Sequence, residues 1–183
     1  MTSDSPTFPV AAQLPALRAY ARTLTRNPHD AEDLLQEALT RAYERRHTLR
    51  ADGNLRAWLM AIVHNVFASE WRRRQAAPAQ AAPLHDMEDA AAVAPPQEHS
   101  VRLAQIERAF MQLPDDQRAA LHLVTIEGMA YQEAADALQI PIGTLMSRLG
   151  RARAALRRFE DGMGEAAADR RARFRIVGGR DAA

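Results

Sequence analysis

The stretch from Gln75 to Ser100, QAAPAQAAPLHDMEDAAAVAPPQEHS, limits the fold more than any other part of the chain. It holds Pro78, Pro83, Pro95 and Pro96, four acids (Asp86, Glu88, Asp89 and Glu98) and no arginine. With almost no bulky apolar side chain, burial cannot offset the entropy of ordering it. A flexible acidic linker over 76–100 is therefore expected, with one unit before it at 10–75 and another after it at 101–160. A disordered start at 1–9 and a tail at 161–183 complete the division.

Neither flank shows alternating Val/Ile/Thr/Tyr runs, and both space their apolar residues as helices do. The expected fold is all-α: two small helical domains joined by the linker. A composition of 47% hydrophobic and 26% charged residues excludes a chain disordered throughout. The absence of cysteine excludes a disulfide scaffold, a thiolate metal site and a cysteine nucleophile. No run approaches the roughly 18 apolar residues of a membrane span. The opening MTSDSPTFPV lacks the basic and apolar regions of a signal peptide, so a cytoplasmic protein without a membrane segment is expected.

In the first unit, Leu14, Leu17, Ala21 and Leu24 mark a helix that stops before Asn27 and Pro28. Asn27 suits a cap and Pro28 the first helical position, with Asp30, Glu32 and Asp33 in the opening turn of a second helix. Ala31, Leu34, Leu35, Ala38, Leu39 and Ala42 line one face of it; Asp33, Gln36, Glu37, Thr40, Arg41 and Glu44 line the other. A third helix is predicted from about Asn54 to Gln75, buried through Leu55, Trp58, Leu59, Ile62, Val66 and Phe67 and ending at Trp71-Arg72-Arg73-Arg74.

The second unit is predicted to hold helices at about 101–113, 114–127, 131–138 and 142–160. Pro114-Asp115-Asp116 is a start signal and Gly128 a stop. A short helix at Tyr131–Leu138, a tight turn at Gln139-Ile140-Pro141 and a long following helix make a helix-turn-helix. Leu145, Leu149, Ala152, Leu156 and Phe159 turn that last helix inward.

The outer face of the last helix carries Thr144, Ser147, Arg148, Arg151, Arg153, Arg157 and Arg158, with no acid between Ile142 and Phe159. Five positive charges and none negative repel one another unless a polyanion lies alongside. Thr144 and Ser147 suit base edges or phosphates in a major groove, and the arginines suit the backbone. The plainer reading is a solvated arginine-rich helix. Arg72, Arg73 and Arg74, with Trp71, His64, Asn65 and Ser69 behind them, suit melting or single-stranded DNA. Favourable placement of cations at a helix C-terminus explains three arginines almost as well. Trp58 fits a core role better than a stacking platform.

Little here points to an enzyme or a cofactor. The six histidines include no i, i+4 pair and no metal spacing, and there is no G-x-x-x-x-G-K-[ST] phosphate loop. Glu32, Asp33 and Glu37 fit a solvated or protein-binding helix face better than a carboxylate site.

Three strings in order resemble the extracytoplasmic-function group of bacterial sigma factors, which carry regions 2 and 4 of the sigma-70 family. Asn27-Pro28-His29-Asp30-Ala31-Glu32-Asp33-Leu34-Leu35-Gln36-Glu37 is similar to the segment that docks on the clamp helices of the RNA polymerase β′ subunit. The resemblance makes Asp33, Gln36, Glu37 and Thr40 polymerase contacts. Asn54 to Leu59, through His64-Asn65 to Arg74, resembles the part that opens and reads the promoter minus-ten element. It implies Asn65, Ser69, Arg72, Arg73 and Arg74 there, with the loop from Leu49 to Asn54 near the captured base.

Leu113 to Arg118, Tyr131 to Ala135 and Ile142 to Arg153 look like region 4, which implies that Thr144, Met146, Ser147, Arg148 and Arg151 bind the minus-thirty-five element. Met146 stands where a basic residue is common, Gln139 where the turn often has glycine, and Gly150 where a larger base-facing residue can stand. The implied partners are core RNA polymerase, through the β′ clamp helices and the β flap, promoter DNA, and an anti-sigma factor that governs a stress regulon. The implied activity is initiation of transcription, with the bond chemistry left to the polymerase. Two alternatives remain at this point: a sigma-like decoy that binds an anti-sigma protein, and a stand-alone helix-turn-helix regulator.

Overall fold

The structure, a computed structural model, describes residues 9–50, 53–76 and 98–173, with side chains at 9–50, 53–74 and 101–161. The start at 1–8, most of the expected linker and the last ten residues lie outside the described residues.

After a short turn at Ala11–Gln13, α1 runs over Leu14–Thr25 and α2 over Pro28–Glu44. The junction is built from local chemistry. Arg26 takes a left-handed conformation, φ 61°, that ends α1. The Asn27 side-chain oxygen then accepts from the amides of His29 (2.8 Å) and Asp30 (3.2 Å), which caps α2 ahead of Pro28 as expected. A one-turn helix at Arg46–Thr48 leads towards α3, Leu55–Ala76, where Asn54 Oδ1 accepts from the Ala57 amide at 3.2 Å. These three helices pack on one another pairwise.

The second unit begins with α4, Glu98–Gln112, which starts three residues before the predicted boundary. The helix expected over 114–127 is α5, Asp115–Leu121, followed by a wider π turn at His122–Ile126 in which the Glu127 amide donates to His122 O. That widening carries His122, Leu123 and Glu127 inward together. Gly128, φ 69°, ends the turn.

The helix-turn-helix follows as α6, Tyr131–Ala137, and α7, Ile142–Arg173. Gln139 sits at φ 54°. The Gln139 amide donates to Asp136 O and the Ile140 amide to Ala135 O, the paired bonds of a Schellman stop. The backbone geometry at Gln139 is therefore the one glycine adopts most readily. Past Gly162 and Gly164 the sequence EAAADRRAR is made largely of strong helix formers, and α7 continues to Arg173 rather than ending near 160. Among the described residues there is no strand, and no helix is long and apolar enough to cross a membrane.

The buried faces follow the predicted periodicity in α1, α2 and α7, through Leu17, Leu24, Leu34, Leu35, Leu145, Leu149 and Ala152. In α3 the prediction captured one side only. Met60 and Val63 are buried as deeply as Leu59 and Val66, because α1 and α2 cover one side of α3 and α6 covers another. Trp58 packs partly buried against this core.

Candidate polymerase and nucleic-acid interfaces

On α2 the residues Asp33, Gln36, Glu37 and Thr40 recur at i, i+3, i+4 and i+7, so the helix places them in one exposed stripe opposite Leu34, Leu35 and Ala38. Contacts along the helix hold them: Asp33 Oδ2 lies 3.3 Å from His29 Nδ1, Arg41 Nε donates to Glu37 Oε1 at 2.9 Å, and Thr40 donates to Gln36 O at 3.0 Å. Glu32, considered with them from the sequence, is drawn off to α1. Arg18 donates to both of its oxygens, at 2.6 and 3.1 Å, and these hydrogen bonds hold the Glu32 carboxyl below its ordinary pKa.

On α3, Asn65 and Ser69 are half-buried one turn apart, and the stripe continues into exposed Arg72 and Arg73. Ser69 donates to Val66 O at 2.8 Å, and Arg72 Nε reaches back to Ala68 O at 3.2 Å. Arg74 stands half a turn away from Asn65 around the helix, 3.9 Å from Glu70. Of the five residues predicted for this surface, four share a stripe and Arg74 does not. Trp71 is 48% exposed beside them.

On α7, Thr144, Ser147, Arg148 and Arg151 also fall at i, i+3, i+4 and i+7. Ser147 donates to Thr144 O at 2.9 Å, and Arg151 Nε to Ser147 O at 3.3 Å. Met146, 56% exposed, lies on the other flank of the helix, and Gly150 faces open space where a Cβ would meet nothing within 4 Å. The seven polar residues expected on one outer face thus divide. Arg153 and Arg157 turn away and, with Ile106, Leu156 and Phe159, line an apolar groove of about 310 Å³ between α4 and α7. Arg148 is not a free cation either: its Nε lies 3.1 Å from Asp116 Oδ2 and its side chain is 22% exposed. The repulsion deduced from α7 alone is eased by this acid from α5.

Apolar periodicity misses a polar chain that joins the two units. His122 Nε2 donates towards Glu127 Oε1 at 3.2 Å, since a carboxylate only accepts, and its Nδ1 lies 2.8 Å from Thr23 Oγ1, whose hydroxyl also has Ala19 O within reach at 3.0 Å. Burial lowers the pKa of His122 although Glu127 opposes that shift. Tyr20, fully buried, places its ring 5.0 Å from that of His122 and its Oη 3.1 Å from His64 Nδ1. Burial, aided by the positive charge of Arg148, pushes His64 down to about 4. The only local hint is a polar side chain on an apolar helix face: Thr23 among Tyr20, Ala21 and Leu24, and His122 between Leu121 and Leu123. No metal-binding cluster occurs among the described residues.

Comparison with known proteins follows the same division. Residues 10–77 match Sigma-70 region 2 and residues 103–156 match Sigma-70, region 4. The chain is 35% identical over 161 residues, 84% of either chain, to the ECF RNA polymerase sigma factor EcfG of Rhodopseudomonas palustris. It is 36% identical over 143 residues, 78% of this chain and 70% of the relative, to the ECF RNA polymerase sigma factor SigM of Mycobacterium tuberculosis. Among solved structures, the sigma factor RpoE in complex with the anti-sigma factor NepR from Bartonella quintana aligns with TM-score 0.66 and 33% identity, over 83% of this chain and 94% of that one. CnrH in complex with the cytosolic domain of CnrY aligns with TM-score 0.58 and 25% identity, over 84% and 85% of the two chains. With both regions matched in order and relatives above 30% identity along most of their length, the chain belongs to the sigma-70 family as an RNA polymerase sigma factor of the extracytoplasmic-function (ECF) type.

Proposed function

We propose that this sigma factor recruits core polymerase through the α2 stripe of Asp33, Gln36, Glu37 and Thr40. It reads and holds the melted minus-ten element with Asn65, Ser69, Arg72, Arg73 and Arg74, and the duplex minus-thirty-five element with Thr144, Met146, Ser147, Arg148 and Arg151. The polymerase supplies the bond chemistry, and the protein acts in the cytoplasm. The observation that carries this reading is the arrangement of three separate polar stripes on three helices. One is acidic and faces away from the core, one runs into the α3 arginines, and one lies on the second helix of a helix-turn-helix. Acidic residues suit a basic protein surface, and the arginine stripes suit phosphate and base edges.

RpoE is solved in complex with the anti-sigma factor NepR and CnrH with the cytosolic domain of CnrY, and these alignments cover 83% and 84% of this chain. That likeness supports control of this chain by an anti-sigma factor.

The test is the double charge reversal Asp33→Arg/Glu37→Arg. Because both side chains are exposed and opposite the apolar face, the helical circular dichroism should stay unchanged while affinity for core polymerase falls at least about tenfold, the equivalent of 1.4 kcal/mol. Unaltered core affinity would remove the α2 assignment. A decoy would bind its anti-sigma partner and give no promoter complex with polymerase, and a stand-alone regulator would bind specific DNA without polymerase.

A further inference from the structure

Gly150 stands in the interior of α7, and the fold supplies no reason for it. Its φ is not positive, as that of Gly128 is, so the backbone does not call for glycine there. Packing does not call for it either, since an added Cβ would meet nothing within 4 Å. After proline, glycine is the residue that least favours a helix interior. An exposed position on the recognition helix that gives up helix stability in this way keeps room for a group from outside the chain.

The neighbours of Gly150 give that room its chemistry. Met146 lies one turn before it on the same side of α7, and Ile142 one turn before Met146; both side chains are exposed. Ser147 stands about 100° around the axis from Met146, with Thr144, Arg148 and Arg151 beyond it. The surface of α7 therefore has a polar, cationic flank and an opposing flank that carries no hydrogen-bonding side chain from Ile142 to Gly150. Arg153, the next charged residue on that side, is turned into the groove against α4.

The second helix of a helix-turn-helix enters the major groove, whose width of about 12 Å an α-helix fills, so both flanks of α7 meet the groove. The polar flank can pair with phosphates and with the donors and acceptors of base edges. An apolar side chain beside bare backbone cannot read those donors and acceptors. The apolar group that projects into the major groove is the 5-methyl of thymine.

We propose that Met146 and Gly150 form a notch that seats the 5-methyl group of a thymine in the minus-thirty-five element. Met146 is then a specificity-determining residue, and the missing side chain of Gly150 is the space that admits the base edge. The polar flank positions α7, and the notch selects one base pair in one orientation. An arginine at position 146 would present donors and turn the selection towards guanine. The inference rests on the sigma reading proposed for this chain and names the group that its second DNA surface recognises.

The test compares promoter complexes of the chain with core polymerase on two duplexes made from a genomic fragment that the pair opens. One carries thymine in the minus-thirty-five element and the other deoxyuridine, which lacks only the methyl group. Loss of the seated methyl should weaken binding by the unaltered chain about fourfold, and the same exchange in the spacer should not. Met146→Ala should bind the thymine duplex about as weakly and lose nothing further on deoxyuridine, whereas Met146→Leu should keep the discrimination. Gly150→Ala should raise the thermal midpoint of the free chain by about 2–4 °C yet weaken the promoter complex at least about fivefold.

An unaltered chain indifferent to the methyl groups would overturn the notch. So would equal discrimination by Met146→Ala, or a Gly150→Ala chain that gains stability and keeps its promoter affinity. If the chain and core polymerase open no genomic fragment, the sigma reading fails and the notch with it; an active chain indifferent to the methyl groups removes the notch alone.

Discussion

Arg148 and Arg151 share a stripe but differ in surroundings, and the difference predicts how each behaves. Arg151 is exposed and folded back on Ser147, so a phosphate can take it at little cost; Arg148 must first loosen from Asp116. Replacing Arg151 by alanine should weaken promoter binding and lower the slope of log affinity against log salt by about 0.9 for one lost phosphate contact. Asp116→Asn should strengthen DNA binding by freeing Arg148. Unchanged slope and affinity in filter-binding titrations across salt would take this helix face away from DNA. At the same scale, His64 is half-buried and His122 buried, both as neutral rings, and the groups facing them are Tyr20 and Arg148 for the first, Thr23, Tyr20, Glu127 and Arg56 for the second. The unfolded chain takes up their protons near pH 6.5 while the native chain resists, so their contribution to stability is whole above that pH. It falls as pH drops towards 4, by up to about 1.4 kcal/mol per pH unit for His64. Urea midpoints measured between pH 7 and pH 5 should fall, and His64→Gln should flatten the trend. Local chemistry such as the Asn27 cap and the α2 stripe was legible in the sequence, because each partner lies within a few residues. Arg118 and Thr23 were not, because their partners lie 95 and 99 residues away and periodicity carries no information about them.

The helix-turn-helix element is held by two left-handed stops with different residues. Gly128 meets its positive φ without strain, whereas Gln139 adopts φ 54° with a side chain attached. Gln139→Gly should raise stability by roughly 0.5–1 kcal/mol, and Gly128→Ala should lower it by about 1 kcal/mol, both read from denaturant midpoints at constant slope. The opposite order would mean that the turn conformations are otherwise. These stops were foreseen as breaks, since Gly128 and the Gln139–Pro141 turn interrupt helical spacing. The π turn after α5 was not foreseen, because its residues keep a helical apolar pattern and the extra residue per turn shows only in the Glu127 to His122 bond. The second buried side of α3 was missed for a related reason. A hydrophobic stripe reports that a face is covered, and Met60 and Val63 blur the stripe when two neighbours cover it from different directions.

For the whole molecule, two helical units pack on one another through α1 against α5 and α3 against α6, and the proposed function gives them three surfaces for two kinds of partner, polymerase and DNA. The all-α division was readable from the proline-rich stretch, but the closure of the units on each other was not. A stretch that separates two units in sequence says nothing about whether they touch. The sigma assignment predicts an outcome that no single surface can produce alone: starts at new sites. Transcription in vitro from fragmented genomic DNA, with core polymerase in the presence and absence of the chain and the RNA 5′ ends sequenced, reads it most directly. The account predicts added start sites that share two upstream elements at a fixed spacing, absent without the chain and reduced by Asp33→Arg/Glu37→Arg. An unchanged set of starts, with the chain bound to polymerase, would contradict it.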